Sequence, residues 1–356
     1  MDGHYEATDR GHKGMRIIWK MFLLAAMTMS MMVSAVWAED YPKMKLRYAN
    51  FLPANTPRSK VDIFVANELT KRTNGRIQVE IYHSETLGQT TEMIDLVGGG
   101  AVDFGNFPDA YNFSRLPMNA FFNTPIIYRD NVIAAKMAKL GYQTQSKVRE
   151  DMQKNNLHPI FFSALNAYRL ISKNPIRTLE DIKGLKIRTF GAVNPKMFKA
   201  LGAVPVSMVV TDAYEGLKRG TIDAVYLTWT GFYVFKLFEA AKYISDVNFG
   251  AISGYQTYVN LDLWKSWPPK LKTLFNQITL EAEQLSDNTV GEFDQKALAL
   301  MIAAGAELIH FEDQQQLKEA VPDTINLVEE SVARVGKQYE EPARKYAEFL
   351  RSELAK

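Results

Sequence analysis

The sequence predicts an α/β protein of two lobes, each a mixed or parallel sheet flanked by helices, with a hinge and a cleft between them. Three observations carry that expectation. Short strand-like runs alternate with stretches of helical period, the pattern of parallel α/β sheets. One helix–turn–strand plan occurs twice, about a domain's length apart. The chain of 356 residues, 47% apolar, is long enough for two ordinary cores.

In chain order, the first 38 residues stand apart. Arg10, Lys13, Arg16 and Lys20 precede the apolar run Met21–Val33, and Ser34-Ala35-Val36-Trp37-Ala38 places small residues for cleavage after Ala38. The run is shorter than the roughly 20 residues a membrane-spanning helix needs, so it reads as an export signal, complete also if read from Met15. The chain has no cysteine, which excludes disulfides, thiol nucleophiles and thiolate metal sites. This suits a bacterial periplasmic protein. The formal charge is +2; the leader holds four basic and three acidic residues, leaving +1 for the mature chain. Nothing in that balance points to nucleic acid or an anionic membrane as a partner.

Lys45–Phe51 reads as a strand. Thr56-Pro57 then opens a helix with proline at its first position, Val61, Phe64, Val65 and Leu69 keep helical spacing, and Asn74-Gly75 ends it. Ile77–Tyr82 alternates as a second strand. The duplicated plan follows in Thr90–Asn106 and returns in Thr211–Leu227. Each copy has a threonine placed to cap, acids in the first turn (Glu92 and Asp95; Asp212 and Glu215), a stop at Gly100 or Gly220, then Val102-Asp103 or Ile222-Asp223 leading into a strand. Gly98–Gly100 ends a helix and no Lys-Ser/Thr follows, so it is turn punctuation rather than a phosphate loop. Thr178-Leu-Glu-Asp181 resembles a capping box before Gly184 and the strand Leu185–Arg188. The lobes are expected at 39–166 plus about 253–292 and at 167–252 plus about 293–356. The C-terminal helix, about Glu341–Leu354, is placed either to dock on a lobe or to join a dimer; a monomer is the simpler expectation.

The chemistry of a hydrolase is missing. His83, His158 and His310 are scattered after the leader, with no H-E-x-x-H, no G-x-S-x-G and no nucleotide fingerprint. No enzyme activity, cofactor or metal is expected. What remains is Arg188, a permanently charged group inside an apolar strand, and Arg169 in another apolar run nearby. Ligands of open α/β sheets sit beyond the carboxyl ends of strands. Two arginines there could converge on one anion, whose carboxylate matches the guanidinium fork; pairing with a neighbouring acid is the alternative explanation.

The run Pro175–Asp223 resembles the solute-binding subunits of TRAP transporters (tripartite ATP-independent periplasmic transporters), the DctP-like family. The matching pieces are TLEDIKGLKIR, KALGAVPVSM and DAYEGLKRGTID, with ANFLPANTP, NGRIQVEIY, LGQTTEMI and GGGAVDF in the first half. The resemblance covers essentially the whole mature chain. It implies the two-lobed periplasmic binding protein fold, closing on a small organic acid that is passed to one small and one large membrane subunit. It implies Arg188 as the carboxylate anchor and Arg169 as a second donor, with Asn50 and Glu92 near the cleft. Where some members carry an asparagine after the second Gly-x-β-Asp, this chain has Thr228 and Trp229. That departure points to a compact or partly apolar acid, aromatic or branched, rather than a sugar acid; a sulfonate is the alternative anion. Phe107, Tyr111 and Tyr255 complete the expected cleft residues.

Overall fold

A computed structural model describes residues 41–356; the expected leader and its cleavage site lie outside them. The first strand, β1 (Met44–Asn50), runs into α1 (Pro57–Arg72), where the Thr56 hydroxyl accepts from the Ser59 N–H at 3.1 Å and Pro57 occupies the first turn. Asn74 and Gly75, both at positive φ, turn the chain into β2 (Ile77–Tyr82). Next come α2 (Met93–Gly98) and β3 (Phe104–Phe107), then two 3₁₀ turns at Asp109–Asn112 and Pro117–Asn123. Helices α3 (Asn131–Thr144) and α4 (Ser146–Lys154) lead to β4 (Leu157–Phe162).

The second half begins with β5 (Arg169–Ser172) and β6 (Lys186–Thr189), then α5 (Asn194–Ala200), β7 (Val204–Ser207), α6 (Ala213–Arg219), β8 (Ala224–Leu227), α7 (Trp229–Val234) and β9 (Tyr243–Ser245). The chain returns through β10 (Gln256–Asn260), α8 (Leu261–Ser266) and the 35-residue α9 (Pro269–Ala303). It closes with β11 (Glu307–Ile309), α10 (Gln314–Ala320), α11 (Thr324–Ala333) and α12 (Lys337–Leu354).

Two mixed sheets result, as expected. The first has the order β2-β1-β3-β10-β4, parallel among β2, β1 and β3, with β10 antiparallel to both its neighbours. The second has the order β11-β9-β5-β8-β6-β7, with β5 antiparallel to β8 and β9. β10 enters the first sheet from the second half, and the crossing segment that leads into it pairs with the one that leaves β4. Leu165 N–H donates to Ile252 O at 2.9 Å, forming an isolated antiparallel bridge between the lobes. α9 is a third connection: Phe275 and Ile278 pack in the first lobe, Leu298 and Met301 in the second.

The twin motif has a physical cause. Asp103 accepts the Arg47 N–H and returns its own N–H to Arg47 O; Asp223 does the same with Lys186. Each aspartate therefore ties the turn after a helix to a neighbouring parallel strand, and residues 101–110 and 221–230 share one burial pattern. The threonine caps are a correction. Thr90 and Thr211 each fall inside a 3₁₀ turn (Thr90–Glu92 and Val210–Asp212), and Thr90 bonds Glu85 instead of capping. Only the glycine that ends the second helix, Gly220, has left-handed backbone at the cap itself.

The C-terminal segment is a second correction. Residues 324–354, expected with the second lobe, close the core of the first. Ile325, Val328 and Val332 of α11 and Tyr339, Ala343, Tyr346 and Leu350 of α12 are buried there. The Tyr346 ring lies 4.4 Å from that of Phe121, and its hydroxyl occupies the space where a Cβ on Gly141 would stand. Helix α12 carries one apolar stripe, and the first lobe has the complementary hole; chain order alone does not reveal which lobe that is.

Candidate functional site

Arg188 is the third residue of β6, flanked there by β7 and β8, and it is 1% exposed. Its Nε donates to Met208 O at 2.9 Å, Nη1 to Tyr226 O at 3.4 Å and Nη2 to the Tyr111 hydroxyl at 2.6 Å. Its guanidinium also lies 4.9 Å from the Phe190 ring centre. All these partners are neutral, and no carboxylate among the described residues pairs with it. A buried cation with neutral partners is a costly arrangement that an incoming anion would relieve.

The guanidinium borders a cavity of about 720 Å³, its open mouth included, lined from both halves of the molecule. Phe51, Leu52, Arg58, Tyr111 and Tyr255 come from the first lobe and its connections; Tyr168, Phe190, Leu227 and Phe235 come from the second. The carboxyl ends of β1, β6 and β8 lead into it, where open α/β sheets hold ligands. The opening turns of α1 and α7 supply Thr56, Thr228 and Thr230 to the wall. Tyr111 spans the lobes, since its oxygen also accepts the Val210 N–H at 3.0 Å.

Of the expected residues, the fold brings Arg188, Tyr111, Thr228 and Tyr255 to the cavity. Thr228 caps α7 by accepting the Gly231 N–H at 3.1 Å. Tyr255 packs edge-on against Phe51 at 5.5 Å, and burial pushes its phenol well above the ordinary range. The others stand elsewhere. Arg169 opens β5 rather than ending a strand; its guanidinium covers the Trp229 ring at 4.1 Å and donates to the carbonyls of Asp246 and Val247. It lies off the cavity wall, and burial lowers its affinity for the proton. The Trp229 ring packs under that guanidinium, and the cavity wall beside it is drawn from Thr228, Thr230 and Gly231.

Asn50 is buried behind the wall. Its Nδ2 donates to Asp62 at 2.9 Å, and its Oδ1 accepts the Leu52 N–H. Glu92 is exposed and accepts the Gln89 N–H at 3.0 Å, a helix-start contact. Phe107 stacks on Tyr258 at 4.9 Å in the first core. Each of these three sits on a structural duty that its sequence context did not distinguish from ligand contact.

Arg58 was missed. It is 2% exposed, borders the cavity, and pairs with Asp62 at 2.9 Å one helical turn on. Its guanidinium lies 4.1 Å from the Phe161 ring centre, and one nitrogen donates to the Thr257 hydroxyl. Burial pushes the Asp62 carboxyl up, opposed by Arg58 and by Asn50. We read the pair as ionised at neutral pH, because a guanidinium beside a neutral acid would stay buried without a counter-charge. The signal was present in the sequence: Arg58 follows the Thr56-Pro57 cap, in the first turn of the helix that comes after the first strand. Among the described residues no group of three or more histidines and acids could hold a metal.

A cavity between two mixed α/β sheets, entered from strand ends and holding a buried cation, defines a receptor that encloses a small solute. Solved structures of this kind share the fold. The TRAP periplasmic solute-binding protein of Rhodoferax ferrireducens T118, in complex with copurified benzoate, matches with a TM-score of 0.76 at 20% identity, over 88% of this chain and 100% of that one. The one from Sulfitobacter sp. NAS-14.1, with bound β-D-galacturonate, matches at 0.73 and 17% identity, over 86% and 100%. The 2,3-diketo-L-gulonate-binding periplasmic protein YiaO of Escherichia coli K12 is 28% identical over 72% of this chain and 78% of its own. The C4-dicarboxylate-binding periplasmic protein DctP of Rhodobacter capsulatus is 26% identical over 83% and 87%. The family model of bacterial extracellular solute-binding proteins, family 7 (DctP), matches residues 48–332, and the chain belongs to that family. The resemblance read from the sequence pieces is thereby met.

Proposed function

We propose that this chain is the periplasmic receptor of a TRAP-type secondary transporter, that it closes on a small organic acid, and that Arg188 holds the acid's carboxylate. The single observation that carries the anchor is a fully buried guanidinium on a cavity wall whose hydrogen-bond partners are all neutral. A carboxylate would supply the missing counter-charge and accept a bidentate pair of bonds. Because the wall is drawn from both lobes, a bound acid touches both and favours the closed arrangement over the open one. The closed receptor then passes its cargo to one small and one large membrane subunit. It transforms nothing, so acid incubated with the protein is recovered unchanged by mass spectrometry.

The test is isothermal titration of organic acids into protein stripped of solute by unfolding and refolding. Arg188→Ala should weaken the acid that binds by at least about 100-fold, the scale of losing charge-assisted bonds in a closed site. Arg188→Lys should also bind poorly, because a point charge does not replace the planar fork. Near-native affinity in Arg188→Ala would remove Arg188 from the role of anchor. Neighbouring genes for one small and one large membrane protein, without an ATPase, test the transport class.

A further inference from the structure

The cavity is charged in an uneven way, and the unevenness selects the solute. Two cationic side chains border it, Arg58 and Arg188, and no acid does. Arg58 is already neutralised by Asp62, whose side chain is fully buried against it. Arg188 is not neutralised by any described residue. The wall therefore offers one uncompensated positive charge. A second carboxylate on the solute would be buried opposite no free cation, which is among the costliest arrangements in a protein interior.

Hydroxyl groups would fare little better. Two of the three threonines of the wall have their O–H in use, Thr56 donating to the Ser59 hydroxyl and Thr230 to Asp294, while Thr228 accepts the Gly231 N–H at the start of α7 and keeps its O–H to donate. The Tyr111 oxygen takes bonds from Arg188 and Val210, which leaves its single O–H to donate. Tyr168 and Tyr255 add one hydroxyl each, and most of the remaining surface is carbon, from Phe51, Leu52, Leu165, Phe190, Leu227 and Phe235. Beyond Arg188 these few O–H groups are the wall's side-chain donors, so a solute with hydroxyls all round its body would leave those against the carbon surface without partners, while an apolar body would fill the same space without that loss.

Resting on the reading of Arg188 as a carboxylate anchor, we infer that the solute carries a single anionic group on a compact apolar body, aromatic or branched aliphatic. The carboxylate lies on Arg188 and accepts from the Tyr111 hydroxyl, and the apolar body lies among the rings and leucines. The Arg58–Asp62 pair contributes shape without a net charge.

The test is calorimetric titration and thermal shift of the stripped wild-type protein with five probes: benzoate, 3-methylbutanoate, succinate, D-galacturonate and benzyl alcohol. At least one of the two apolar monocarboxylates should bind about 100-fold more tightly than succinate and D-galacturonate. Benzyl alcohol, which has the body without the charge, should give no shift. If succinate or D-galacturonate binds within tenfold of the better apolar acid, the single-charge, apolar selection is overturned while the carboxylate anchor stands. If no acid shifts the protein, or benzyl alcohol binds as well as benzoate, the anchor itself fails.

Discussion

Arg188 and Tyr111 meet across the cleft, the guanidinium Nη2 donating to the phenol oxygen at 2.6 Å. One belongs to a strand of the second sheet and the other to the 3₁₀ turn that follows β3 of the first. The same oxygen accepts the Val210 N–H, so a single side chain of one lobe holds two donors of the other. Tyr111→Phe keeps the ring and removes the bridge. The variant should bind the acid roughly tenfold more weakly, the scale of one bond to a charged group. It should also sample more open arrangements, read as a larger radius of gyration in X-ray scattering without ligand. An unchanged affinity and radius would show that the contact is incidental.

The two buried arginines should differ in what removing a charge at each site costs the fold. Arg188→Ala leaves no carboxylate orphaned, so in the absence of acid its unfolding free energy should stay within about 1 kcal/mol of wild type. Asp62→Ala strands Arg58 inside the protein and should cost about 3–5 kcal/mol. Urea denaturation of both variants decides it; equal losses would contradict the assignment of Arg58 as paired and Arg188 as waiting for a partner.

Asp109 predicts a pH dependence. Its carboxyl accepts from the Tyr258 hydroxyl at 2.7 Å and from Asn119 at 2.9 Å, and burial pushes it up to about 7 against an ordinary value of 3.8. Between those values the folded chain holds a proton that the unfolded chain has released. The contribution is therefore fully present below about pH 4 and is lost as pH rises through about 7, a span on the order of 4 kcal/mol. Burial also raises Asp151 and Asp294, so the difference between two proteins isolates Asp109. Wild type should lose stability from pH 4 to 8 more steeply than Asp109→Asn, measured by urea midpoints across that window. Parallel pH profiles would count against it.

The twin aspartates make a test of the internal repeat. Asp103 and Asp223 each accept one backbone N–H from a neighbouring strand, and they lie in different sheets with no shared partner. Asp103→Ala and Asp223→Ala should each cost about 1 kcal/mol, and the double variant should cost their sum. A large deviation from additivity in denaturant titrations would mean that the two lobes do not fold as independent copies of one plan.

What the sequence determined by itself was local. Strand alternation, Thr56-Pro57, the Thr178–Asp181 box and the paired Gly-x-β-Asp turns act through neighbours a few residues away, so each element could be read where it stands. Arg188 was legible for the same reason: a charge among Leu185, Ile187 and Phe190 contradicts its own strand. Tertiary structure decided what those elements face. The 3₁₀ turn after β3 carries Tyr111 to Arg188, 77 residues away in the chain. Arg169 stacks on Trp229 beside the cavity wall, and Asp62 neutralises Arg58. It also set α11 and α12 on the first lobe, because an amphipathic helix records only that it must be covered. Whether a charge is free or paired, and which hole a side chain fills, depends on groups brought together by folding. Periodicity in a single chain carries no record of them.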